Sequence, residues 1–174
     1  LENHNAIEEI KRSNERYDIV TKATHDLVWD WNLETNELYR DPVGLRNVYG
    51  FSKNEPIKHI NNWLEQIHPE DLQKVKDSIV NIINATEQRL FDVEYRFKRE
   101  DGKYVHIYDR GYIICNEKGK AYRMIGAAQD ITERKKLEDE LLNQQKAINQ
   151  ATISVQEKER AEISKELHDN VNQV

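Results

Sequence analysis

The stretch "FDVEYRFKREDGKYVHIYDRGYIIC", residues 91–115, decides the fold. Phe91, Val93, Tyr95 and Phe97 alternate with polar residues, the period-2 pattern of a strand that buries one face. "REDG" (99–102) predicts a tight turn, with Gly102 free to adopt the positive φ that hairpins favour. "YVHIYDRGYIIC" (104–115) then returns as a long strand, in which Gly111 marks either a bulge or a crossover contact. Downstream, "NEKGK" (116–120) turns the chain again and "AYRMIGAAQDI" (121–131) is one more strand. Its small residues Gly126, Ala127 and Ala128 let something pack close to it.

Upstream, Leu27, Trp29, Trp31 and Leu33 alternate with smaller or polar partners in "LVWDWNL" (27–33). "ETNE" makes a turn and "LYR" (38–40) a return strand. Residues 41–64 are cut up by Pro42, Gly44, Gly50 and Pro56, so short helices and loops are expected there. "HPEDLQKVKDSIVNIIN" (68–84) reads as a helix. Pro69 suits its first position, Glu70 and Asp71 face the unpaired N–H groups of its first turn, and Leu72, Val75, Ile79 and Ile82 line its apolar side. Residues 5–24 carry a thinner helical stripe through Ile7, Ile10, Tyr17, Thr21 and Thr24, with Asn14 filling a polar gap. Two strands, then helices, then three strands with short connections imply an α+β domain: a five-stranded antiparallel sheet with helices on one face.

In this order, "DLVWDWNLETNELYRD", "IHPEDLQKV", "FDVEYRFKREDGKYVHI" and "GAAQDITERKKLE" resemble the PAS family, in the form that ends in a PAC motif. The resemblance spans residues 23–138 and implies a sheet whose inner face, closed by short helices, can hold a small ligand. Trp29, Trp31, Trp63, Tyr95 and Phe97 are candidates to line such a cavity, against the plainer reading of each as core. Haem-binding relatives use a histidine in the long helix, and flavin photosensors of this fold use a cysteine in an "NCRFL" type segment. Neither is present here, so haem and flavin are not expected.

After "QDIT" the chain is almost free of Gly and Pro and reads as helix to its end. Asp130 has capping-box spacing to Glu133, while Thr132 competes as the cap; either oxygen makes a joint between the last strand and the helix. Leu137, Leu141, Gln144, Ile148, Ala151 and Val155 fall at steps of four and three, the seam of a two-stranded coiled coil, so a parallel homodimer is expected. Val155 and Ile163 are eight residues apart, so the seam changes phase between Gln156 and Ala161.

One residue past the seam position Leu167 lies His168, about 100° round the helix and so on its exposed side. "ERAEISKELHDNVNQ" resembles the phosphoacceptor helix of sensor histidine kinases of two-component systems, of the nitrate- and degradation-sensor type. Glu159, Arg160, Ile163, Glu166, Leu167, His168, Asp169 and Gln173 match the family pattern, while Glu162 and Ser164 replace an arginine and an alanine. The resemblance implies that His168 accepts the γ-phosphoryl group of ATP, Asp169 accepts or orients the imidazole proton, and Asp169 with Gln173 positions water in dephosphorylation. ATP, Mg²⁺ and their binding groups would belong to a further domain of the parent enzyme, so these 174 residues should be inactive alone.

Composition narrows the rest. Of 174 residues 37% are hydrophobic and 33% charged, with mean hydropathy -0.91, which suits long exposed helices beside one domain. A net charge of -6 argues against a nucleic-acid grip, and "ERKK" (133–136), followed by acidic residues, is a charge-laced helix face. Cys115 stands alone, which excludes an intrachain disulfide and a thiolate cluster; it reads as a half-buried strand thiol. His4, His25, His59, His68 and His106 show no ligand spacing, so no metal site is expected. No apolar run approaches the ~18 residues of a membrane helix. The first residues, "LENHNAIEEI", show no signal-peptide pattern, and both ends read as cuts through a longer protein.

The expected organisation is a helix over 1–24, a PAS/PAC sensor domain over 25–132, a coiled-coil signalling helix over 133–158, and a truncated phosphoacceptor and dimerisation domain over 159–174. The expected function is the cytoplasmic sensory and dimerising part of an ATP-dependent protein histidine kinase, a transferase whose parent is cytoplasmic or membrane-anchored. Its partners would be its own second copy, the parent's ATP-binding domain, a response regulator whose aspartate receives the phosphoryl group, and an unidentified small ligand. The alternative is a non-catalytic PAS module that dimerises or regulates a different effector.

Overall fold

The computed structural model describes residues 2–51, 59–85 and 89–171. Five strands, β1 (Leu27–Asn32), β2 (Leu38–Arg40), β3 (Leu90–Lys98), β4 (Tyr104–Cys115) and β5 (Ala121–Asp130), form one antiparallel sheet in the order β2-β1-β5-β4-β3. Around them run α1 (Glu2–Thr24), α2 (Pro42–Tyr49), α3 (Ile60–Leu64), α4 (Pro69–Asn84) and α5 (Thr132–Val171). The α+β class, the five strands and the long last helix are those expected from the alternation and composition. The chain falls into two units, residues 1–132 and 133–174.

The inner face of the sheet is the core. Leu27, Trp29 and Trp31 of β1, Phe91, Val93, Tyr95 and Phe97 of β3, and Val105, Ile107 and Ile113 of β4 are all buried on it. From the helical side, Leu45, Val48 and Tyr49 of α2, Ile60 and Trp63 of α3, and Val75 and Ile82 of α4 complete it. Tyr49 stacks on Phe97 with ring centres 3.9 Å apart.

Short connections are fixed by local polar bonds. Asp41 caps α2, accepting from the Gly44 N–H at 2.6 Å and from the Val28 N–H of β1 at 2.8 Å, so one carboxylate ties a helix start to the sheet. At α4 the His68 ring caps the helix by accepting from the Glu70 N–H, with Pro69 at the first position. Asp71 of that helix accepts from the Arg96 backbone and guanidinium of β3, and these bonds hold its carboxyl at about 2. Gly102 takes the expected positive φ, 82°.

Gly111 is not a bulge. It pairs in register with Phe91 and Gly126, and the irregularity in β4 lies at Ile114/Cys115. The contact expected at this glycine is real, and Trp29 makes it: a Cβ on Gly111 would meet the Trp29 indole at 2.5 Å, and one on Gly126 would meet it at 2.2 Å. The two glycines are bare so that an indole can lie flat across the middle of the sheet.

Of the expected helix 5–24, the structure shows a longer one, and its described apolar side chains Ile7, Ile19 and Val20 are exposed. Leu33, expected in the first strand, lies just beyond β1 and is packed half-buried against the core. No helix among the described residues is long and apolar enough to cross a membrane.

Candidate functional site

Two places are candidates for chemistry: the interior behind the sheet, and the far end of α5. In the interior, Asp109 of β4 is 3% exposed. One carboxylate oxygen accepts from Trp29 Nε1 at 2.7 Å, the other from the Tyr95 hydroxyl at 2.9 Å. The Tyr95 oxygen lies 3.0 Å from that of Tyr49, and Trp63 Nε1 donates to both at 3.2 Å. Because the single Tyr95 proton goes to Asp109, Tyr49 is the donor in the tyrosine pair. Arg40 of β2 is half-buried as a residue, but its guanidinium is tucked 5.7 Å from the centre of the Tyr49 ring and 6.0 Å from that of Trp63.

Burial shapes the electrostatics of this cluster. Loss of solvent pushes the Asp109 carboxyl up to about 6, against the bonds from Tyr95 and Trp29 and the charge of Arg40, which favour its ionised form. Desolvation likewise pushes Tyr49 up to about 12, helped by the charge on Asp109, and raises Tyr95 well above an ordinary phenol. The same loss of water lowers Arg40.

Beside the cluster is a hollow lined in part by Trp29, Trp31, Arg40, Trp63, Asp109 and Met124. It encloses about 320 Å³ with its mouth included, of which about 20 Å³ can take the centre of a water molecule. That is room for one or two ordered waters, given the roughly 10–15 Å³ each requires. Of the expected lining residues, Trp29, Trp31 and Trp63 border the hollow; Tyr95 belongs to the polar cluster, and Phe97 is wholly buried under Tyr49. Among the described residues no group of His, Cys, Asp and Glu is gathered to hold a metal ion.

Sequence reading missed Arg40, Tyr49 and Asp109. The signal for two of them was present: Asp109 interrupts the inward series Val105, Ile107, Gly111, Ile113, and Arg40 follows inward-facing Leu38 by two. A charge at an inward strand position needs buried partners.

The expected joint uses both of its residues, in different roles. Asp130 accepts from the Thr132 N–H at 2.9 Å, while the Thr132 hydroxyl accepts from the His106 N–H at 2.9 Å. The His106 carbonyl accepts from the Ile131 N–H at 2.8 Å. The start of β4 thus grips the residues that lead into α5. Glu133 pairs with Lys136 at 3.6 Å.

α5 is unbroken over its 40 residues. Leu137, Leu141, Ile148, Val155, Ile163 and Leu167 are each 55% or more exposed, so the apolar stripe lacks cover in the single chain. His168 is exposed. Asp169 lies within the helix, its side chain outside the described residues, and Gln173 lies outside them altogether.

A sequence profile described as the PAS fold matches residues 43–128. A hybrid signal transduction histidine kinase A of Dictyostelium discoideum is 34% identical over 86 residues, 48% of this chain and 4% of that protein. A probable diguanylate cyclase, DgcE of Escherichia coli, is 25% identical over 167 residues, 87% of this chain and 14% of that protein. The chain therefore spans only a small part of these curated relatives. Among solved structures, a sensory box histidine kinase/response regulator from Burkholderia thailandensis superimposes with TM-score 0.65 at 29% identity, over 78% of this chain and 98% of that one.

Proposed function

The chain carries a PAS-fold sensor domain related to signal-transduction proteins, and on that premise we propose that it is the sensory and dimerising part of an ATP-dependent protein histidine kinase that phosphorylates itself at His168. The observation that carries this reading is the exposed imidazole of His168, inside its fifteen-residue motif, on a helix that leaves the sensor domain without a break.

In the proposed reaction a ring nitrogen of neutral His168 attacks the γ-phosphorus of ATP. An N–P bond forms, the P–O bond to the β-phosphate breaks, and ADP departs with the electron pair. The imidazole, now cationic, gives its proton to Asp169 or orients it there. The phosphoryl group then passes to an aspartate of a response regulator, and Asp169 with Gln173 positions water in the reverse, phosphatase direction. Mg²⁺ and the nucleotide groups come from the parent's ATP-binding domain. The exposed stripe from Leu137 to Val155 supports a parallel dimer, since burying it against its twin removes several large side chains from water. A small ligand bordered by Trp29, Trp31 and Trp63 would act on the sheet and reach α5 through Asp130 and Thr132.

The test uses the full-length parent with ATP. Acid-labile phosphate is expected in the wild type and not in His168→Gln; labelling that survives in the variant overturns the assignment. The match to a diguanylate cyclase over most of this chain favours a second reading, a PAS module that dimerises and regulates a different effector. The residues after Val174 discriminate: a second bundle helix and an ATP-binding domain support the kinase, and another effector there supports the alternative.

A further inference from the structure

We propose that the ligand this interior is built to take is a proton, bound at Asp109, and that its uptake breaks the polar chain from Arg40 through Tyr49 and Tyr95 to Asp109. The inference deepens the sensory reading of the domain.

The geometry fixes the direction of every bond in the chain. Arg40 and Trp63 are donors only. Tyr49 accepts from both, Tyr49 donates to Tyr95, and Tyr95 donates to Asp109. The other partners of Asp109, the Trp29 indole and the Arg110 backbone N–H, also donate. An ionised carboxylate satisfies this ring of donors completely. A protonated one does not, because every protein group bonded to it presents a hydrogen, so unless a water in the adjoining hollow accepts the added O–H, one of those bonds must break or reverse.

Two rearrangements can take the proton. Its O–H can point toward Trp29, donor against donor, which pushes the indole off Asp109. Otherwise the chain reverses: Asp109 donates to Tyr95 and Tyr95 to Tyr49. The Tyr49 oxygen then accepts from Tyr95 and Trp63 while its own hydrogen faces only Arg40 and Trp63, neither of which can accept, so one buried donor at the junction of α2 and α3 with the sheet is left unsatisfied. Either way proton uptake disturbs a cluster that joins β1, β2, β3, β4, α2 and α3. Asp109 lies three residues along β4 from His106, whose backbone groups hold Ile131 and Thr132 at the start of α5.

The groups facing Asp109 from β2, β3 and α2 are Arg40, Tyr95 and Tyr49. β1, α3 and β5 present Trp29, Trp63 and, across the ladder, Ala128, none of which titrates. Burial also places the Asp109 carboxyl near 6, where a change of environment can load it. The sign follows from linkage. A carboxyl raised from 3.8 to about 6 by folding adds stability that is complete below 3.8 and is lost as pH rises through about 6.

The test is a pH titration of the 174-residue chain, followed by the indole N–H resonances of its three tryptophans. Trp29 and Trp63 should move together with a midpoint near 6, while Trp31, which bonds to nothing in the cluster, stays. Asp109→Asn should leave all three flat between pH 5 and 8. Tyr95→Phe should raise the midpoint, because it removes a donor that favours the charged form, and should uncouple Trp63 from Trp29. Static wild-type resonances, or a midpoint that persists in Asp109→Asn, overturn the proposal. Should that variant fail to fold, the carboxyl carbon resonance of Asp109 in the wild type decides: a carboxylate still ionised at pH 5 overturns it. No kinase activity enters this experiment, so it can fail while phosphorylation of His168 stands, and the reverse.

Discussion

A single residue explains much of the middle of the sheet. Trp29 donates its indole N–H to Asp109 at 2.7 Å and lies across Gly111 and Gly126. Gly126 offers no slack: an added methyl would stand 2.2 Å from both the Trp29 ring and the Arg110 carbonyl oxygen, and the latter is backbone in the adjacent strand. Gly126→Ala should therefore destabilise the domain by about 1–3 kcal/mol, the usual range for forcing a methyl into a filled core. Urea unfolding followed by tryptophan fluorescence measures it. A variant as stable as the wild type would mean that the indole has other room to occupy. The same substitution should also weaken the Trp29–Asp109 bond, since the ring must move to admit the methyl.

At the scale of elements, the joint between β4 and α5 is one backbone bond, from Ile131 to His106, one hydroxyl, that of Thr132, and one carboxylate, that of Asp130. Thr132→Val keeps the shape of the side chain and removes the acceptor for the His106 N–H. The expected cost is about 0.5–1.5 kcal/mol, together with faster hydrogen exchange at the His106 amide than in the wild type. An unchanged exchange rate would show that the hydroxyl does not hold the strand. This joint was legible in "QDIT" only as a competition between two caps. The structure gives each an N–H to accept from: the Thr132 N–H at the helix start bonds Asp130, and the His106 N–H near the start of β4 bonds the Thr132 hydroxyl. The strands were legible because alternation of apolar and polar residues reports burial of one face directly. The interior cluster was not. It joins residues from 29 to 109, and pairings at that separation leave no local pattern beyond a charge at an inward position.

For the whole molecule the decisive quantity is the phase of the α5 stripe. Val155 and Ile163 are eight residues apart, one more than a heptad, so a seam that faces its partner as far as Val155 points Ile163 about 100° away. The apolar stripe residues are exposed in the single chain, and in the proposed dimer one straight paired rod cannot cover both halves at once. A phase break of this kind gives two packings of similar stability, one satisfying the upstream leucines and one the downstream pair, and a small push from the joint can choose between them. Deleting Lys158 removes the extra residue and brings Ile163 into heptad register with Val155, while Leu167 falls one position past the seam. The conflict at Ile163 would then vanish. Two outcomes are expected: the 174-residue chain dimerises at least tenfold more tightly by analytical ultracentrifugation, and phosphate on His168 of the full-length parent no longer responds to conditions that alter the sensor domain. If the deletion leaves dimerisation as it was, the seam beyond Val155 takes no part in pairing, and in the proposed kinase a signal would have to reach His168 by some route other than the stripe.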